Sequence, residues 1–410
     1  MTTTPTPACI LPDREFRNRL MASGGEDLKK CFQCATCSVV CELSDLRKPF
    51  PRKEMIWAQW GLKDRLIADP DIWLCHQCSD CSLRCPRSAR PGDVMAAIRR
   101  EAILHYSAPR WLGNCVNRPR FLPLLLLVPC LLLGLAAWAR GPLEKYFGAS
   151  YTPNHIIISY WNQLPQWLLI AFFAPFVVLD VMVLALGAMR FWRDLKAGDR
   201  EAGRTGQRLS LAASIRSASR NIILHEDFDR CTAERPRMDS HRLVFFGFVG
   251  LLVVDLWVLT ARFNPLLSDV FVYPFNFWNP WKMLANLAGA AILIGCALMV
   301  RDRMPRNQMP RPNRTSASFA GTLFTGTWFD WMFLSLAVAA VLTGFGCEML
   351  HYARVDPLRY ATYVIHLAIV FALLVLLPYS KFAHMIYRAT AMVYAAHTGR
   401  QPLGGLHEAE

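Results

Sequence analysis

Cysteine falls in one pattern twice: Cys31-x2-Cys34-x2-Cys37-x3-Cys41, then Cys75-x2-Cys78-x2-Cys81-x3-Cys85 followed directly by Pro86. Three thiolates at this spacing meet on one concave turn, and a fourth completes the shell of a [4Fe-4S] cube. Two runs therefore predict two cubes. In the two-cluster ferredoxin arrangement the fourth cysteine of each run ligates the other cluster. That gives Cys31, Cys34, Cys37 and Cys85 around one cube and Cys75, Cys78, Cys81 and Cys41 around the second. Zinc is the plainer alternative, but its pairs are typically spaced about 15–20 residues apart and a third cysteine per run would be redundant. Disulfides fit less well, because no secretory signal precedes the runs and a cytosolic face keeps thiols reduced. Cys9, Cys115, Cys130, Cys231, Cys296 and Cys347 have no partner at ligand spacing.

The histidines are the second set with chemistry to offer. Ionisable groups inside apolar spans are costly, so those within or beside a span point to function. His366 and His384 stand 18 residues apart in the last apolar stretch. On one continuous helix that is five turns, one face and about 27 Å, close to the hydrocarbon thickness of a bilayer. Such a helix supplies one axial ligand to each of two stacked haems. The alternative for each is a hydrogen-bonded structural histidine. His241, at the start of another apolar stretch, pairs with His384 on this reading. For His366 the partner is His155 or His351, with His155 preferred because residues 154–161 can fold back against a bundle. His76, His105, His225, His397 and His407 lie outside the spans and read as structural or solvated.

The elements that must position these groups are helical. Between the runs, residues 52–66 carry apolar side chains at helical spacing, with Gly61 ending a first helix. Residues 92–104 form another, with Asp93 at the positive end of its dipole. The chain is 53% hydrophobic, and six stretches meet the spanning criterion: 121–139, 166–189, 243–261, 283–300, 322–346 and 360–386. The fold class is therefore all-α: an N-terminal α-helical ferredoxin domain over 21–115, then a six-helix transmembrane cytochrome b bundle over 116–398. Residues 1–20 and 399–410 read as tails.

Lysine and arginine set the orientation. Twelve of them fall in 190–242 and five more in 301–314, while the opposite loops are sparse. Both termini and the cluster domain are thus expected on the cytoplasmic side of the inner membrane. The same asymmetry accounts for the net charge of +14, with anionic lipid as its partner. Nucleic acid is excluded as a partner, since the arginines flank spans and no recognition module accompanies them.

The segment Leu377-Pro-Tyr-Ser-Lys-Phe-Ala-His384-Met resembles the haem-ligand stretch of the cytochrome b subunit of respiratory nitrate reductase, which also has a histidine 18 residues upstream. That cytochrome's other ligand helix carries two histidines ten residues apart, whereas the tenth position after His241 here is Leu251. Residues 25–398 resemble the C-subunit family of quinone-interacting membrane-bound oxidoreductase (Qmo) complexes. That family in turn looks like a fusion of the iron–sulfur and cytochrome b subunits of heterodisulfide reductase. The resemblance implies two [4Fe-4S] clusters, two b haems and a quinone site for menaquinone or ubiquinone. It also implies partnership with two soluble flavin- and cluster-bearing subunits and, through them, with adenylylsulfate (APS) reductase.

No G-x-G-x-x-G, P-loop or Cys-Cys-Gly motif occurs, so neither a nucleotide site nor the heterodisulfide-type active-site cluster is expected. The remaining chemistry is two-electron, two-proton exchange with a quinone. Asp255, Glu348 and Lys381 are the candidates for that site, with Asp180 and Asp330 behind them. Each has a structural reading, such as Asp255 pairing with Arg262 or Lys381 snorkelling to the surface. Two other functions remain open: the same module serving a heterodisulfide-reductase-like or sulfite-pathway complex, and a haem-free membrane anchor.

Overall fold

The computed structural model describes residues 11–44, 48–116, 118–147, 164, 166–201, 209–226, 228, 235–263, 276–302 and 328–399, and among them there is no β-strand. The chain divides into two units. One comprises Met1–Gly113, Val183–Arg235 and Lys381–Glu410, and the other Asn114–Met182 and Pro236–Ser380.

The first unit starts with helices α1 (Arg14–Ala22), α2 (Thr36–Val39), α3 (Arg52–Trp60), α4 (Lys63–Ile67), α5 (Asp71–Leu74), α6 (Asp80–Leu83) and α7 (Pro91–Tyr106). The tail expected over 1–20 is corrected here. From Arg14 onward the chain is α1, because Asp13 caps it by accepting from Phe16 N at 2.8 Å and because Phe16 and Leu20 are fully buried. Gly61 ends α3 at φ 69°, and a Cβ there would stand 2.6 Å from the carbonyl oxygen of Asp13. Only glycine fits that turn. Arg19 ties α1 to α7 through Glu101 at 3.0 Å.

Helix α8 (Arg110–Val116) leads to α9 (Leu122–Phe147) and then to α10 (Gln166–Glu201), which runs for 36 residues. At 1.5 Å per residue α10 is about 54 Å long, well beyond a hydrocarbon core of about 30 Å. Its second half belongs to the first unit, together with α11 (Leu211–Leu224). This corrects the expected boundary: 183–235 and 381–398 join the ferredoxin helices rather than the membrane bundle. The reason is aromatic packing. Trp73 stacks on Tyr387 with centroids 5.1 Å apart, and Phe191 of α10 packs against Trp73, Tyr106 and Tyr387 at 5.3–6.2 Å. Such pairs add about 0.5–1.5 kcal/mol each beyond the area they bury.

The second unit holds the remaining apolar helices: α12 (Arg235–Phe263), α13 (Pro280–Asp302), α14 (Trp328–Tyr352) and α15 (Asp356–Leu376). Its core joins Val244, Ile292, Cys296, Leu334, Ala337 and Val341. Helices α12 and α13 approach backbone to backbone, since a Cβ on Gly295 would lie 2.8 Å from Ser240 O. Among the described residues six windows, in α9, α10, α12, α13, α14 and α15, are long and apolar enough to cross a membrane, yet only 11–28% of each is buried within the chain. That much outward apolar surface suits lipid rather than water. The fifth apolar helix is described over Trp328–Tyr352 and runs past the expected end at 346, so His351 lies in its last turn; the start of the expected span, 322–327, lies outside the described residues.

The largest correction concerns the last expected span, 360–386. Helix α15 stops at Leu376, a 3-10 turn covers Leu377–Tyr379, Ser380 is extended (φ −115°, ψ −171°), and a second 3-10 turn precedes α16 (His384–His397). Pro378 is the cause: it has no N–H and its ring collides with the carbonyl one turn back. His366 and His384 therefore sit on two helices, not five turns apart on one.

Within the first unit, Lys53 sits among Glu54, Asp69 and Asp71. Its ammonium is 2.9 Å from Glu54 and 2.8 Å from Asp69, and it also bonds Asp71. Burial pushes the Glu54 carboxyl up to about 7 against the opposing pull of Lys53. Glu54 thus binds its proton more tightly folded than unfolded, and its contribution to stability is lost as pH rises from about 4.5 to about 7. Glu54→Gln should therefore raise the melting temperature at pH 8 and leave it nearly unchanged at pH 5. Tyr387→Ala should lower stability by about 3–5 kcal/mol, read as a denaturant midpoint; an unchanged midpoint would place α16 outside the core.

Candidate functional site

The two cysteine runs fold alike. Each first cysteine ends a helical turn: Cys31 follows the 3-10 turn Glu26–Lys30 and Cys75 follows α5. Two residues on, Gln33 and Gln77 both have φ 60°, and after the second cysteine Ala35 and Ser79 have φ 68° and 73°. Short helices α2 and α6 then carry Cys37 and Cys81. A left-handed conformation costs a residue with a Cβ about 1–2 kcal/mol. Four of them at equivalent positions mark a backbone held for a purpose, and such alternation turns N–H groups inward to receive negative charge.

The fourth cysteines cross over. Cys85 lies within electrostatic reach of Cys31 and Cys37, while Cys41 lies within reach of Cys75 and Cys81. Cys34 and Cys85 thus stand near Cys31 and Cys37, and Cys78 and Cys41 near Cys75 and Cys81, with Cys37 also within electrostatic reach of Cys81. No described cysteine is in a disulfide. Burial pushes the Cys37 thiol up to about 11 and that of Cys41 to about 12, and also raises Cys31, Cys75 and Cys81. The Thr36 hydroxyl, 3.4 Å from the sulfur, lowers Cys34. Donors already face several sulfurs: Gln33 Nε2 to Cys31, Gln77 N to Cys75 and Ala89 N to Cys85, each at 3.3 Å.

Two arginines that no sequence signal singles out complete the second run. Arg99 of α7 donates to Ile72 O and Cys75 O, and Arg388 of α16 donates to Trp73 O at 3.0 Å and Cys75 O at 3.3 Å. Both lie close enough to lower the Cys75 thiol against its burial. The acidic group Glu54, Asp69 and Asp71 has metal-like spacing, but the Lys53 ammonium takes the place a cation would fill.

Two histidines are set in one tautomer. The Thr343 hydroxyl donates to Ala339 O at 2.7 Å, so at 3.0 Å it accepts from His366 Nδ1–H. Gly344 leaves room beside that ring, its would-be Cβ 3.3 Å from His366 Cε1. His384 Nδ1 donates to the Lys381 carbonyl, and burial pushes this imidazole down to about 4, keeping it neutral. In both rings Nε2 keeps its lone pair, as an axial metal ligand requires. His241 lies in the second turn of α12 with its ring stacked on Phe245 at 6.5 Å. His155 lies outside the described residues, as do Cys9, Cys231 and His407. Of the other histidines, His397 is bonded to Leu209 O at 2.7 Å and His76 to Arg388 at 3.0 Å.

The quinone candidates part company. Glu348 is engaged by Lys282 at 2.9 Å and Asn286 at 3.2 Å. Asp255 is exposed on α12 between the exposed Leu252 and Leu256. Lys381 is half-buried next to Ser380 in the break after α15. Asp180 is 5% exposed, its Oδ2 has no hydrogen-bond partner among the described residues, and it lies within electrostatic reach of Tyr379.

Residues 27–89 match the family described as 4Fe-4S dicluster domain. The N-terminal region is 43% identical over 91 residues to the C subunit of the H(2):CoB-CoM heterodisulfide,ferredoxin reductase of Methanothermobacter marburgensis, covering 22% of this chain and 49% of that one. It is 40% identical over 78 residues to a protein of Archaeoglobus profundus described as like the C subunit of heterodisulfide reductase, covering 19% and 42%. The chain thus spans about half the length of these curated relatives or less. A longer match, 26% identical over 339 residues, covers 78% of this chain and 80% of the citrate utilization protein B of Escherichia coli. No solved structure matches the chain. The chain combines an iron–sulfur electron-transfer domain similar to heterodisulfide reductase C subunits with, among the described residues, six helices long and apolar enough to span a membrane.

Proposed function

We propose that this chain is the quinone-reactive membrane subunit of a Qmo-type oxidoreductase complex, exchanging electrons between the quinone pool and soluble flavin and iron–sulfur subunits, and through them APS reductase. The observation that carries it is the first turn of α16. His384 opens that helix, and Tyr387 and Arg388 lie one turn on, the latter bonded to the backbone of Cys75. Arg99, also on the Cys75 carbonyl, is close enough to act on the His384 ring. One helical turn thereby joins a histidine of ligand tautomer to the second cysteine run.

In this reading Cys31, Cys34, Cys37 and Cys85 hold one [4Fe-4S] cluster, and Cys75, Cys78, Cys81 and Cys41 the other. His384 and His366 offer Nε2 to one b haem each, while Lys381 O and Thr343 Oγ1 hold the proton on Nδ1. His241 is the partner ligand for His384, and His155 for His366. The clusters and haems supply one-electron carriers between a two-electron quinone and the soluble subunits. For the quinone, Asp180 joins Asp255, Glu348 and Lys381 and ranks ahead of Glu348, whose oxygens are already engaged. The arginine-rich stretches support a position on the cytoplasmic side of the inner membrane for both ends of the chain and the cysteine runs.

A second reading keeps the electron path and changes the soluble partner. It is favoured by the match to citrate utilization protein B, which extends along most of this chain. On that reading the soluble partner belongs to citrate utilization, as the name of that relative says. Identifying the co-purifying subunits separates the two. A third reading, the haem-free anchor, is tested by the haem itself.

Cys85→Ala should disturb the same EPR signal as Cys31→Ala, and Cys41→Ala the same signal as Cys75→Ala, with iron falling from about eight to about four atoms per chain. If Cys85→Ala instead follows Cys75→Ala, the exchange of fourth ligands is wrong. Pyridine haemochrome assay should give two b haems, one lost in His366→Ala and one in His384→Ala. Thr343→Val should weaken retention of the His366 haem by about 10–100-fold. No haem in the wild-type protein would reduce the bundle to an anchor.

A further inference from the structure

A cavity of about 480 Å³ in the first unit lies between the end of α7 and the second half of α10. Its lining includes none of the cysteines or histidines of the proposed electron path. Arg110, Arg190 and Arg193 line it, with His105, Tyr106 and a single acid, Asp194. The Tyr106 hydroxyl donates to that acid at 3.0 Å, and none of the three arginines forms an ion pair with a described residue. His105 adds no charge, because burial and then the nearby Lys63 and Arg110 push its pKa down. Three guanidinium groups around one hollow repel one another, and a bound anion relieves that repulsion.

Position and size narrow the ligand. The apolar stretch of α10 ends at Met189, so Arg190 and Arg193 begin where a bilayer gives way to headgroups. Guanidinium forks match the oxygens of phosphate in paired hydrogen bonds. The volume falls within the range of about 300–1,000 Å³ usual for small-molecule sites, ample for a glycerophosphate. From these observations we infer that the cavity framed by Arg110, Arg190 and Arg193 is a binding site for a phosphate group, supplied by the headgroup of an anionic phospholipid.

The test uses the full-length chain in detergent, titrated separately with phosphatidylglycerol, phosphatidylcholine and inorganic phosphate, with bound lipid counted by native mass spectrometry. Wild type should retain phosphatidylglycerol over phosphatidylcholine. Arg190→Gln and Arg193→Gln should each weaken that binding about fivefold, the equivalent of about 1 kcal/mol per arginine at a membrane surface. Asp194→Asn, which removes the one acid, should tighten it. Inorganic phosphate bound with the same dependence on these arginines, but no preference among lipids, would support the site with free phosphate as its source. Equal binding in wild type and all variants, with cluster absorption intact, would overturn the proposal. So would looser binding in Asp194→Asn.

Discussion

Two guanidinium groups hold the backbone at the second cysteine run. Arg99 and Arg388 together bond the carbonyls of Ile72, Trp73 and Cys75. A hydrogen bond from a charged donor is worth about 1.5–3 kcal/mol, and a buried carbonyl left without one costs a similar amount. Much of the first unit is organised by this clamp. It draws α16, 313 residues later in the chain, onto α5, and the stack of Trp73 on Tyr387 and the contacts of Phe191 close the same core. The fixed positive charge also bears on chemistry, because charge beside a cluster's ligands raises its potential. Beside the first run, Arg52 lies near Cys34 and Arg87 lies 4.2 Å from the centre of the Phe32 ring, next to Cys31.

The break at Pro378 gives that clamp its reach. A continuous helix would carry His384, Tyr387 and Arg388 onward along the axis of α15. The two 3-10 turns instead release the chain so that α16 packs with the ferredoxin helices. His384 consequently belongs to the unit that holds the cysteines, whereas His366 is held by Thr343 in the membrane half. Each histidine keeps the same nitrogen available although its Nδ1 is held by a different kind of oxygen, the Thr343 hydroxyl for His366 and the Lys381 carbonyl for His384.

What the sequence made legible was chemistry with a short repeat. The cysteine spacing announced two similar loops, and the apolar stretches announced six spans to within a few residues at most ends. Gly61 and Asp93 marked helix ends correctly, because their signals act within one turn. What stayed hidden depended on distant partners. Arg99 and Arg388 look like ordinary surface arginines until Cys75 is placed beneath them, and the helix at 14–22 looked like a tail because its burial partners lie on α3 and α7. The 18-residue spacing of His366 and His384 misled, since a helical period holds only while the helix continues, and Pro378 stood between them.

On the proposed function, one chain passes electrons between a quinone in its apolar half and clusters in the other. The direct measurement is to mix the oxidised, purified chain anaerobically with a short-chain menaquinol or ubiquinol and follow haem and cluster absorption, with EPR of the frozen product. Quinol should reduce the haems first and then a cluster, and His384→Ala should stop the second step while sparing the first. Clusters that dithionite reduces but no quinol reaches, in a chain with intact haem, would contradict that path.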